Sequence, residues 1–121
     1  MRTVILRHTL PDGSWHCDWL VEREGNGLVP TWRTGHARPD DPEVQAFDAQ
    51  RIGEHRAVYL GYEGEVSGGR GRVERLASGE ILESQWGDGS LVLSAKFGER
   101  VVRFVGKCIE GGAWRFLTMH G

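Results

Sequence analysis

Short apolar runs separated by glycine-containing turns recur about every ten residues from Arg56 to the end of the chain, the spacing of consecutive strands in a β-barrel or sandwich. The runs are Ala57–Tyr62, Gly71–Leu76, Glu80–Gln85, Ser90–Phe97, Val101–Lys107 and Trp114–Met119. Gly68–Gly69, Ser78–Gly79, Asp88–Gly89 and Gly111–Gly112 fall between them as turns. The 39% hydrophobic content is low, so the 5 tryptophans are expected to fill much of a thin core.

The first half is read the same way. Arg2 to His8 alternates, with Val4 and Leu6 on one side and Thr3, Ile5 and Arg7 on the other. Pro11, Asp12 and Gly13 form a turn within the connection Thr9 to Trp15, and His16 to Glu24 completes a hairpin. Gly25, Asn26 and Gly27 predict a tight turn before a third strand, Leu28 to Thr34. Gly35 to Pro42 is a polar loop. Asp41 to Gln50 predicts a short helix, with Asp41 as cap, Pro42 at the first helical position, and Val44 and Phe47 on one face. The expectation is one all-β domain over residues 1–121, a small closed or nearly closed barrel with few helical turns.

A net charge of -2 argues against a protein that coats nucleic acid, although 15 basic residues leave room for a local patch. Cys17 and Cys108 do not make a disulfide framework, and reduced thiols in a cytoplasmic monomer are expected. No apolar run approaches the ~20 residues that span a bilayer, so no membrane partner is expected.

Strand parity carries the chemistry. His16, Asp18, Leu20 and Glu22 share one face of the second strand, whereas Cys17, Trp19 and Val21 share the other, which reads as the buried face. His8 ends the preceding strand and reaches the same place as His16 and Asp18 across the hairpin. Two imidazoles and a carboxylate suit a divalent transition metal with positions left open. An isolated His-x-Asp pair is more often plain surface, and His8 is what lifts this one above that reading. His55 and Tyr59 form a second cluster that suits phosphate binding, although Tyr is common in strands.

The segment R-H-T-L-P-D-G-S-W-H-C-D-W-L-V-E, residues 7 to 22, resembles the opening of the 3′-phosphoesterase domain found at the N-terminus of bacterial ATP-dependent DNA-repair ligases. H-R-A-V-Y-L-G-Y-E-G, residues 55 to 64, is similar to that family's His-x-x-x-Tyr-x-x-Phe-Glu-Gly. Leu28 to Trp32 resembles a strand ending in Ser-Trp, and the tail from Gly89 to Leu117 resembles the closing strands. The resemblance implies a small barrel that binds manganese and trims 3′ ends of DNA or RNA, removing a ribonucleoside and then the 3′-phosphate. It implies His8, His16 and Asp18 as metal ligands, and His55 and Tyr59 as phosphate contacts, all five serving catalysis. It also implies work beside a separate ligase or polymerase in DNA repair.

The chain departs from the family in its cations. Leu20 and Phe47 stand where the family has arginines, and His36 stands near a family lysine. The gap between His8 and His16 is two residues longer, and the turn after Glu63 is shortened to Ser67–Gly71. Arg51 is the first candidate to replace the lost charge, four residues before His55 and on its face if the chain stays extended; Gly53 could break that register. Arg33, Arg38 and Arg70 are further candidates. The alternative to an enzyme is a binding module of the same fold that holds phosphate or nucleic-acid ends without turnover.

Overall fold

The computed structural model describes residues 1–25 and 27–121, and the turn predicted at Gly25, Asn26 and Gly27 has its centre, Asn26, outside the described residues. The strands are β1 (Arg2–Thr9), β2 (Trp15–Val21), β3 (Leu28–Gly35), β4 (Ala46–Arg56), β5 (Gly64–Glu65), β6 (Arg72–Gly87), β7 (Ser90–Phe97), β8 (Arg100–Glu110) and β9 (Ala113–His120), with one 3₁₀ turn at Ala57–Leu60. All pairings are antiparallel. They run β1-β2-β3-β4-β9-β8-β7-β6, and β6 pairs again with β1, which makes a near-ring. The all-β, nearly closed architecture is the one expected from the sequence. No helix among the described residues is long and apolar enough to cross a membrane.

Two apolar clusters sit on opposite sides of the β1–β2–β3 sheet. The larger gathers Ile5, Trp19, Trp32, Leu93, Phe104 and Phe116, among others, from the strands of the ring. Trp19 is its hub: its ring lies 4.8 Å from Phe104 and 5.0 Å from Phe116. Its indole N–H donates to the Thr3 hydroxyl, 2.8 Å away, which donates in turn to the Leu20 carbonyl. The smaller cluster packs Val4, Leu6, Leu20 and Val29 against Leu60, Val66 and Val73. The excursion through the 3₁₀ turn and β5 thus covers the other face of β1–β3. Both faces of β2 are therefore buried, Leu20 and Asp18 as well as Trp19, where a single buried face was expected.

Four predicted elements are corrected. The helix at Asp41–Gln50 does not form. The Asp41 carboxylate and carbonyl accept from the N–H groups of Glu43 and Val44, but this is one turn, and Ala46 to Gln50 then pair with β9. Pairing places Phe47 opposite Phe116 and Ala49 opposite Trp114, and this burial outweighs the local helix signal. The run Ala57–Tyr62 is largely the 3₁₀ turn, with Val58 exposed and Leu60 buried. The runs Gly71–Leu76 and Glu80–Gln85 are halves of one strand, β6, that pairs with β1 first and β7 later.

Gly79 is not a turn residue; it lies within β6. A Cβ there would meet the Lys96 carbonyl oxygen and the Phe97 ring at 2.9 Å. Gly79→Ala is expected to cost about 1–3 kcal/mol of stability, the usual range for overpacking. Urea denaturation reads it, and a variant as stable as the parent would contradict this close approach.

Candidate metal centre

The site is built by register. His8 lies directly opposite His16 across β1 and β2, and Asp18 lies opposite Leu6, one step along the same face. An extra residue on β3, between Arg33 and Gly35, then sets Arg33 opposite Asp18. The structure brings together the three residues expected to hold a metal: one ligand atom from each of His8, His16 and Asp18 lies within 4.8 Å of the others. The Asp18 side chain is 2% exposed and the two imidazoles 13–14%. His8 Nδ1 is 3.9 Å from Asp18 Oδ2, and His16 Nε2 is 3.4 Å from Oδ1. His55, from the end of β4, adds a third imidazole, with Nε2 3.8 Å from Oδ2.

Proton placement shows which ring nitrogens are free to act as ligands. His8 Nε2 lies 2.7 Å from the Arg70 carbonyl oxygen, which can only accept, so Nε2 carries the proton of a neutral ring. His8 Nδ1 then turns a lone pair toward Asp18. The same holds for His55, whose Nδ1 lies 3.2 Å from the Gly53 carbonyl and whose Nε2 faces the carboxylate. His16 Nε2 is sealed from solvent and makes no hydrogen bond. Lone pairs aimed at a carboxylate repel it unless a cation or an added proton lies between them. Ligand bonds of about 2.0–2.2 Å put neighbouring donor atoms roughly 3–3.5 Å apart, close to the spacing at His16 and somewhat tighter than at His8. The residues could therefore hold a metal ion, with the Arg70 carbonyl orienting the His8 imidazole as such sites require.

Burial alone would raise the Asp18 pKa. Without a metal, protonated His16 and His55 rings facing it, with the nearby Arg33 charge, outweigh burial and hold the carboxyl well below the usual carboxylate range. A depressed folded-state pKa stabilises the protein above the ordinary carboxyl value of ~3.9, and that contribution is lost as pH falls below it. Without metal, the parent is expected to lose stability between about pH 5 and 3 more steeply than Asp18→Asn, in denaturant titrations at each pH. Parallel pH profiles would contradict the assignment.

Above the cluster is a cavity of about 370 Å³ lined by His8, Asp18, His55, Tyr59, Arg33 and Arg70, with Glu54 and Arg56. Tyr59 is brought in by the 3₁₀ turn, its ring 5.5 Å from that of His55. Arg51 is not brought in. Three residues of β4 span two of β3 between Ile52 and His55, and this bulge at Gly53–Glu54 reverses parity. Arg51 therefore stacks on the buried Trp32 ring, at 4.7 Å, while His55 faces the cavity. Arg38 pairs with Asp40 at 2.9 Å, and His36 stacks on Trp15 at 4.0 Å, both outside the cavity. Leu20 and Phe47 are core residues. The cations that do line the cavity are Arg33, Arg56 and Arg70. Arg56 was not among the sequence candidates, because strand parity sets it opposite to its neighbour His55.

No protein-family profile matches the chain, and no curated protein matches it.

Proposed function

We propose that this chain is a metal-dependent phosphoesterase that processes 3′ ends of DNA or RNA, with manganese as the metal. The observation that supports it most is the His8 and His55 ring nitrogens, with the unpartnered His16 Nε2, turned on the buried Asp18 carboxylate beneath an arginine-lined cavity. His8, His16 and Asp18 would hold the ion, which when bound supplies Lewis-acid polarisation of a phosphoryl oxygen. Three guanidiniums against the carboxylates of Asp18 and Glu54 leave the cavity lining one net positive charge, suited to a phosphate. His55 Nε2 faces the ligand cluster, where it is placed to hand a proton to the leaving oxygen once protonated. The Tyr59 hydroxyl is the neutral donor for a phosphate oxygen. The 3′-end specificity, a role in DNA repair and a partner ligase or polymerase come from the sequence resemblance.

Release of phosphate from a 3′-phosphorylated primer-template, with and without manganese, tests this reading. The expected result is release that needs manganese and is lost in Asp18→Asn. No release under any divalent metal, with oligonucleotide still bound, would favour the second reading, an end-binding module. That reading draws on Leu20 and Phe47, which fill the core at positions where the resembled family has arginines.

A further inference from the structure

Two of the cavity's arginines each touch a metal ligand as well as the open space. Arg33 Nε sits 3.5 Å from Asp18 Oδ1, the same oxygen that His16 Nε2 faces. Its side chain is 45% exposed, so it can leave that oxygen without repacking the core. Arg70 contributes its carbonyl to His8 Nε2. Its guanidinium donates to Ser67, three residues back in the same loop, and has no ion-pair partner among the described residues. Gly71 locks this loop against the end of β1. Its φ is +95°, and a Cβ would lie 2.0 Å from the Thr9 carbonyl oxygen. The loop that carries Arg70 into the cavity is therefore the loop that fixes the His8 ring.

These contacts set opposite biases. While Arg33 lies against Oδ1 it competes with any cation for the carboxylate. An anion in the cavity offers both guanidiniums a better, bidentate partner. We propose that Arg33 and Arg70 make this a coupled site. A tetrahedral dianion draws Arg33 off Asp18 and pins the Arg70 loop behind His8, so that anion and divalent metal bind cooperatively. The inference rests on the metal centre proposed above. Coupling of this kind is reciprocal: whatever factor the anion adds to metal affinity, the metal adds to anion affinity. A metal-loaded site would then favour a terminal phosphate dianion over a singly charged diester, because the dianion offers the two arginines more charge.

The test is manganese affinity, measured by electron paramagnetic resonance in sodium sulfate and in sodium chloride at equal ionic strength. Sulfate is the probe because it is a tetrahedral dianion that cannot be hydrolysed here. The parent is expected to bind manganese at least about fivefold more tightly in sulfate, the lower end of common allosteric couplings. Arg33→Ala should bind manganese more tightly than the parent in chloride and show a smaller sulfate effect. Arg33→Lys should restore part of that effect. Arg70→Ala should also reduce it. A purely structural Arg33 would instead give weaker binding in both salts, which overturns the proposal. So does an Arg70→Ala protein with the full sulfate effect. Manganese bound equally in both salts overturns this inference and leaves the metal centre standing. No manganese bound in either salt overturns both.

Discussion

Asp18→Asn is expected to lower manganese affinity by more than about 100-fold, read by isothermal titration calorimetry on the folded protein. Loss of an outer partner that merely orients a ligand costs 10–100-fold, and Asp18 is the only carboxylate in the ligand cluster. Asparagine keeps the volume of the buried side chain and one oxygen but removes the charge that three imidazoles and Arg33 face. The fold should survive, because Leu20 and Trp19 pack on either side of the position whatever its charge. An affinity within tenfold of the parent would mean that Asp18 serves an ion pair and not a metal.

Trp19→Ala is expected to cost about 3–5 kcal/mol, the range for removing a large buried aromatic. Trp19 is fully buried and makes ring contacts with Trp32, Phe47, Phe104 and Phe116, which come from β3, β4, β8 and β9. The truncation also leaves the Thr3 hydroxyl without its indole donor. Chemical denaturation reads the loss, and a cost below about 1 kcal/mol would contradict the central role given to this ring.

What the sequence made legible was local. A short hairpin fixes its own register, so parity alone sufficed to bring His8, His16 and Asp18 to one face. Glycine spacing likewise marked most strand ends. What it hid was set by distant partners. Parity counting fails at bulges: the extra residue at Gly53–Glu54 sent Arg51 inward, and the extra residue on β3 made Arg33 the neighbour of Asp18. The capping chemistry at Asp41 was present, yet the aromatic faces of β9 captured Phe47 and Ala49. Gly79 read as a turn because glycine usually marks one, whereas here it admits Phe97 against β6. The second buried face of β2 was invisible because its cover, Leu60 to Val73, lies about forty residues further along the chain.

One metal ion is expected between His8, His16 and Asp18. Anomalous scattering from crystals grown with manganese would locate it. A single strong peak is expected about 2.0–2.2 Å from His8 Nδ1, His16 Nε2 and an Asp18 oxygen, with His8 Nε2 still on the Arg70 carbonyl. No peak there, or an ion elsewhere with Arg33 still against Asp18, would contradict it.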